Sequence, residues 1–244
     1  MDSGIYAACS GLAARTQALD LAANNLANTS TTAFRSEQPT FHSALASHGL
    51  RTVDSRSASI NQFSVVGGTR LDLTQGNLQS TGNPLDLGIE GGGFLTVKTA
   101  AGTEFTRNGS FHLSPDRSLL TDEGDAVMGE NGPVQLPEGE VSISADGTIS
   151  VGGAVVAKLK VVEFAQGTPI THSGGSYYSA PLAAATPATK SSIRQGMLEA
   201  SNVNSVQAAV GLIALQRHAE MLNRTLTLFH NEFNRLAAEE LPRV

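Results

Sequence analysis

The two ends of this 244-residue chain obey one spacing rule, and its middle obeys another. Near the start, Ile5, Cys9, Leu12, Thr16, Leu19, Ala23 and Leu26 are separated by alternating steps of four and three. Toward the finish, Leu212, Leu215, Ala219, Leu222, Leu226, Phe229, Phe233 and Leu236 repeat those steps. This is the spacing of a coiled-coil seam. The sequence between the ends is rich in glycine and alternates with a period of two. The pattern predicts an α+β fold in which N- and C-terminal α-helices pair as a coiled coil, with a central antiparallel β domain. The expected segments are an N-terminal helix and the turn after it (residues 1–35), an extended connector (36–70), the β domain (71–190) and a C-terminal helix (191–244).

Residues 4–28 contain no proline, two glycines (Gly4 and Gly11), and alanine, leucine and glutamine throughout, all of which suit a helix except the glycines. Several seam positions are small or polar. Burial of a large apolar side chain stabilises by about 1.5–3 kcal/mol, whereas ordering each backbone residue costs about 1–2 kcal/mol. Such a helix needs a partner surface. Arg15 and Asp20 are its sole charges, so its remaining faces also suit close packing. The C-terminal helix is expected to begin at Asn204 or Ser205 and run to about Glu239, with Pro242 beyond its end. A second stripe, Val206, Val210 and Ile213, widens its apolar face. Self-assembly between copies and a two-helix hairpin within one chain both explain these stripes.

In the middle, Leu71 and Leu73, then Leu85, Leu87 and Ile89, alternate with polar residues. Val141 and Ile143 lie across Ala145-Asp146-Gly147 from Ile149 and Val151, a hairpin signal. Asn108-Gly109 and Asp122-Glu123-Gly124 read as further turns, and Lys158 to Phe164 as a strand ending before Gln166-Gly167. The alternation places Asp72, Asp86 and Glu90 on the solvent face of strands rather than in a catalytic carboxylate pair.

Composition narrows the functional classes. Net charge is -6 with no basic stripe, which argues against nucleic acid as a partner. One cysteine leaves no internal disulfide and no cysteine-rich metal site, and the six histidines are scattered. No apolar run reaches the length of a transmembrane helix, so no direct membrane insertion is expected. The run Gly88-Ile-Glu-Gly-Gly-Gly93 lacks the Lys-Ser or Lys-Thr of a phosphate loop and leads into strand-like sequence, so a tight turn with close backbone approach is expected. No nucleophile–base constellation is visible, and neither an enzyme nor a cofactor is expected. A β-domain binding module would need an exposed aromatic platform, for which Tyr177-Tyr178 is the visible candidate.

Residues 24–35 read Asn-Asn-Leu-Ala-Asn-Thr-Ser-Thr-Thr-Ala-Phe-Arg. This resembles the signature of the bacterial flagellar rod and hook proteins. Three further blocks resemble that family in its own order: Gln75 to Val97, Thr106-Arg107-Asn108-Gly109-Ser110-Phe111, and Gly196 to Asn204. The opening Met1 to Tyr6 and the stretch Met128 to Ser150 are most similar to its proximal-rod branch, with the distal-rod branch as the alternative. Ala33 stands where the family commonly has glycine. Either the turn differs here or the φ is ordinary.

The resemblance implies a structural subunit of the flagellar basal-body rod in the periplasmic space, passed through the type III export apparatus and self-assembling with neighbouring rod proteins into the drive shaft. It implies an assembly interface on the terminal helices. The residues expected to carry it are Ile5, Leu12, Leu19 and Leu26 with Leu212, Leu215, Leu222, Leu226, Phe229, Phe233 and Leu236. Asn24, Asn25 and Asn28 either bridge polar groups at the helix end or simply terminate it. Phe34 is expected to anchor the chain as it leaves the helix.

Overall fold

The computed structural model describes the backbone of residues 2–45 and 62–240, and the side chains of residues 9–40, 68–228, 231, 232 and 235. Ile5, Phe229, Phe233 and Leu236 therefore lie outside the described side chains. The chain forms two compact units. One comprises Met1–Ala27, Glu37–Arg70 and Asn204–Val244, and the other comprises Asn28–Ser36 and Leu71–Val203.

The first unit is helical with a β ribbon. Helix α1 spans Asp2–Ala27, and α2 spans Ser205–Glu240. The two helices lie against one another, and α1 also touches strand β1 (Glu37–Leu45). Strand β1 pairs with β2 (Gln62–Leu71) in a two-stranded sheet inside the segment expected to be an extended connector. Asn204 caps α2, its Oδ1 accepting the backbone N–H of Val206 at 3.1 Å and of Gln207 at 3.0 Å. At the other helix, Asn25 ties the last turn of α1 to β1. Its Nδ2 donates to the Glu37 carbonyl (2.8 Å), and its Oδ1 accepts the Glu37 N–H (2.9 Å).

The second unit is antiparallel β throughout. Short strands β3 (Leu78–Ser80) and β4 (Leu87–Glu90) precede β5 (Phe94–Thr99) and β6 (Gly102–Thr106). Then come β7 (Phe111–Leu113), β8 (Leu119–Thr121), β9 (Ala126–Gly129) and β10 (Gly132–Pro133). A three-stranded sheet follows, β11 (Val141–Ile143), β12 (Thr148–Val151) and β13 (Ala154–Lys158). The chain then adds β14 (Val161–Phe164), β15 (Thr171–Gly174), β16 (Tyr177–Ser179), β17 (Ala185–Pro187), β18 (Ser192–Gln195) and β19 (Met197–Glu199).

Strand β5 organises the large sheet. It pairs with β6 along one edge; its other edge is shared by β14 (Leu95 opposite Val161) and β9 (Val97 opposite Val127). The main core gathers Leu87, Ile89, Leu95, Val127, Leu136, Ile149 and Leu159, all almost completely buried. A second cluster holds Phe94, Phe105, Val162 and Tyr178, with the Phe94 and Tyr178 rings edge-to-face at 5.6 Å.

The expected hairpin at Ala145-Asp146-Gly147 forms in the expected register, Val141 opposite Val151 and Ile143 opposite Ile149. The Asp122–Gly124 turn links β8 to β9, with Gly124 donating to the Thr121 carbonyl at 2.9 Å. Four expectations need correction. Lys158 to Phe164 is two strands, because Leu159 is drawn into a bridge with Gly129 and buried. Asp86 is buried, held by a 2.8 Å bond from Asn83 Nδ2. Tyr177 and Tyr178 form no exposed platform, being 8% and 0% exposed. Residues 191–203 belong to the β unit, since β18 pairs with β4 and β19 with β3.

Ala33 adopts φ 57°, in the left-handed region, and is 1% exposed. That conformation costs an L-residue about 1–2 kcal/mol. Ala33→Gly is expected to stabilise the β unit by about 1 kcal/mol, part of the relief being offset by the greater freedom of glycine in the unfolded chain. Urea unfolding followed by tyrosine fluorescence in a Tyr6→Phe background measures this, and an unchanged or lower midpoint would contradict it.

Candidate functional site

The chain passes between the two units at 27/28, 36/37, 70/71 and 203/204. Within the β unit, the three pieces that begin or end at these points are bonded to one another. Ala33 N donates to the Glu199 carbonyl (2.7 Å), and Asn202 N donates to the Phe34 carbonyl (3.2 Å). Asn202 works with both ends of its amide. Its Oδ1 accepts from Ser36 N (2.8 Å), while its Nδ2 donates to the carbonyls of Asp72 (2.9 Å) and Thr74 (3.1 Å). Gly76 must be glycine here, since a Cβ would stand 2.0 Å from the Ala200 carbonyl oxygen.

At the centre is the Glu199 carboxylate, fully buried. Oε1 accepts from Arg35 Nη2 at 2.5 Å and from Gly76 N at 2.7 Å, and Oε2 accepts from Arg107 Nε at 2.9 Å. Both guanidiniums are buried as well. Arg107 donates onward to the carbonyls of Gly93 (2.6 Å), Gly91 (2.9 Å) and Ile89 (3.3 Å), so the glycine run wraps a cation rather than a phosphate. Its guanidinium carbon lies 5.5 Å from the Phe94 ring centroid. Burial lowers the Arg107 pKa, with the Glu199 charge opposing that shift. Two cations thus face one carboxylate, and the carbonyls around Arg107 spread the surplus. Arg35 Nε and Nη1 are buried without a partner among the described residues.

Phe34 is buried where it was expected to anchor the chain, its ring edge-on to His172 at 6.1 Å. Tyr178 completes the wall by donating to the Ala33 carbonyl at 3.3 Å. Asn28 accepts from Thr31 Oγ1 at 3.0 Å in the turn after α1, and Asn24 is exposed.

The helices form the other part of the candidate site. On α2, Ala208, Leu212, Leu215, Ala219, Leu222 and Leu226 are half-buried, and from Leu212 onward they follow the expected steps. On α1, Leu12, Leu19 and Leu26 are half-buried, while Cys9, Thr16 and Ala23 are exposed. The positions buried outright are Ala14 and Ala18, which the stripe did not single out. The second stripe of α2 is open: Val206 is 72% exposed, Val210 63%, Ile213 52%, Met221 56% and Leu228 66%.

Arg35, Arg107, Glu199 and Asn202 are absent from the sequence-based interface. One signal could have found the three charges. Each is a lone charge in a block otherwise made of small, polar or apolar residues, Thr-Ala-Phe-Arg, Thr-Arg-Asn-Gly and Met-Leu-Glu-Ala.

The sequence matches three family patterns. Residues 5–35 match the flagella basal body rod protein family, residues 88–151 the D1 domain of flagellar hook protein FlgE/F/G, and residues 194–228 the C-terminal part of flagellar basal body rod FlgEFG proteins. The flagellar basal-body rod protein FlgF of Escherichia coli is 34% identical, covering 93% of this chain and 94% of its own length. FlgF of Caulobacter vibrioides is 32% identical over 97% and 98% of the two chains. The flagellar basal-body rod protein FlgG of Bacillus subtilis is 27% identical over 91% and 93%.

A buried and an exposed ion pair should respond differently to loss of one partner. Glu199→Ala leaves two guanidiniums buried without their carboxylate and is expected to destabilise the β unit by about 3–5 kcal/mol. Arg235→Ala, which breaks the exposed 2.8 Å pair with Glu232, should change stability by less than about 1 kcal/mol. Urea midpoints of the two variants compare them. Burial also pushes the Tyr178 phenol up to about 12 from its ordinary 10.0. A raised pKa leaves its stabilising contribution whole below pH 10, and that contribution falls as pH rises through the interval to 12. Unfolding midpoints should therefore drop across that interval, and Tyr178→Phe should flatten the drop.

Proposed function

Since the chain belongs to the flagellar basal-body rod protein family, and is a structural subunit of the basal-body rod, we propose that its two terminal helices are the assembly elements. They pair as a coiled coil and continue that packing with neighbouring copies and neighbouring rod proteins. Relatives named FlgF are 31–35% identical and those named FlgG 27–29%, which favours the proximal-rod branch for its position.

The observation that carries this reading is the incomplete burial of the helical unit. The leucine seam of α2 is half-covered, and its second stripe is open. A contiguous exposed apolar stripe marks an interaction surface. Covering five large apolar side chains would contribute about 1.5–3 kcal/mol each. That is comparable with the roughly 4–15 kcal/mol cost of fixing one molecule against another. Contacts of this size are weak singly and hold when each subunit meets several neighbours. Leu12, Leu19, Leu26, Leu212, Leu215, Leu222 and Leu226 carry the seam, while Val206, Val210 and Ile213 carry the contact to the next helix.

In this reading the chain works without catalysis. It transmits torque by resisting slip along its helices, and the clasp around Glu199 passes load into the β unit. Passage through the flagellar export apparatus is part of the same proposal, supported by the likeness of residues 5–35 to the rod family.

Deleting the gene should abolish swimming, and the wild-type copy should restore it. A chain carrying Val210→Asp and Ile213→Asp should keep the β unit folded, since both positions are more than half exposed, yet fail to enter purified basal bodies. A swimming deletion strain with no second copy would refute the rod role. Normal incorporation of the double variant would refute the assignment of the interface to this stripe.

A further inference from the structure

On the side of α2 away from its half-buried seam, the open stripe carries charge as well as apolar surface. Steps of three or four residues lead from Val206 through Val210, Ile213, Arg217, Met221 and Arg224 to Leu228, and all of these are exposed. The same steps reach Glu232, Arg235 and Glu239 before the helix ends at Glu240. Glu232 and Arg235 are exposed too. Arginine and large apolar residues share the first half of the stripe. In the second half, two acidic positions frame one arginine.

The charges of the first half are unspent. Glu220 stands three residues after Arg217 and four before Arg224, the spacings at which side chains pair along a helix. Yet Arg217, Glu220 and Arg224 make no ion pair among the described residues. Arg235 does pair with Glu232, at 2.8 Å, but both side chains are exposed, and such a pair exchanges partners at little cost. A displacement of fifteen residues, about 22 Å along a helix, lays the stripe on itself with opposite charges together. Arg217 then faces Glu232, Glu220 faces Arg235, and Arg224 faces the position of Glu239, while Val206 meets Met221 and Ile213 meets Leu228. Parallel helices without displacement would set each arginine against its own copy. Antiparallel helices that join Arg217 to Glu239 and Arg224 to Glu232 would set Met221 against Arg235 and Glu220 against Leu236.

We propose that the open stripe of α2 is covered by α2 of a second copy of this chain, parallel to it and displaced by fifteen residues. The first half of one stripe meets the second half of the other. Charges that flank an apolar helix contact choose its partner, orientation and register, and here they match the stripe to itself at this displacement. Wrong registers are opposed by like charges as well as by lost contacts. Because the two copies use different halves, the contact is head-to-tail and leaves each copy one half for a further neighbour. The proposal rests on the reading of α2 as an assembly element and adds to it the partner and the register.

The test is charge reversal followed by recovery of the full chain in purified basal bodies. Arg217→Glu with Arg224→Glu should lower recovery about tenfold, since each reversal sets like charges face to face, and Glu232→Arg with Glu239→Arg should do the same. The chain carrying all four substitutions restores opposite charges only where its neighbour is another copy of itself, and its recovery should return to within about twofold of wild type. Urea midpoints of the β unit should stay those of wild type throughout. In a Cys9→Ser background, which removes the sole cysteine, co-expressed Ile213→Cys and Leu228→Cys copies treated with a short bismaleimide should cross-link within basal bodies, and Ile213→Cys copies alone should not. Wild-type recovery of either reversed pair overturns the proposal. So does a fourfold variant that recovers no better than its parents, the outcome expected if another rod protein covers the stripe, and so do rods that hold both cysteine variants without cross-linking. If those results come with loss of the Val210→Asp, Ile213→Asp chain from basal bodies, the register falls and the assembly role of α2 stands. Normal incorporation of that chain removes both.

Discussion

One buried carboxylate fixes how the chain enters and leaves its β unit. Glu199 belongs to the last strand before α2, Arg35 to the segment after α1, and Arg107 follows directly on β6, and all three side chains are hidden from solvent. Separating charges already out of water costs far more than separating them at the surface. The two segments that lead to the helices therefore cannot dock independently. If residues 28–36 lift away, Glu199 loses Arg35 and keeps Arg107 and the Gly76 N–H as its partners. Apolar residues of similar volume could supply comparable stability. Here each guanidinium gives the carboxylate one bond, Arg35 to Oε1 and Arg107 to Oε2, so the two oxygens are held by different segments.

The helical unit is built on the opposite principle. Its contacts are apolar, partial and repeated. Ala14 and Ala18 are covered, the leucines beside them are half-covered, and the outer stripe of α2 is bare. Apolar packing tolerates small rotations that a buried ion triad does not.

The period-based features of the fold were legible before the structure. Steps of four and three located both helices, and the positions they mark from Leu212 to Leu226 on α2 are half-buried, whereas on α1 Thr16 and Ala23 are exposed. The Ala145–Gly147 hairpin formed in register because alternation and turn chemistry agree there. Features that depend on distant partners were not legible. Nothing local shows that Asp86 is roofed over, or that Tyr177 is sealed by a 2.6 Å bond between its hydroxyl and Thr121 Oγ1. The clasp joins residues 164 and 92 positions apart, Arg35 and Arg107 each to Glu199, so no spacing rule reaches it. Ala14 and Ala18 were missed for another reason. The steps of four and three were counted on Ile5, Cys9, Leu12, Thr16, Leu19, Ala23 and Leu26, and neither alanine falls on them.

Ala33 shows how the joint tolerates a cost. Its backbone is left-handed, where alanine is strained, and it stands between two fixed partners. Its N–H is committed to the Glu199 carbonyl and its own carbonyl to the Tyr178 hydroxyl. Relaxing φ would break both bonds in a place no water reaches, and each unsatisfied group there would cost about 1–3 kcal/mol. The strain is smaller than the sum of those penalties, so the turn holds. Glycine is therefore a matter of degree at this position, whereas at Gly76 and Gly109, where a Cβ would stand 2.0 Å and 1.8 Å from carbonyl oxygens, it is a requirement. Strain of a kilocalorie can be offset by neighbouring bonds, but overlap of that depth moves the backbone itself.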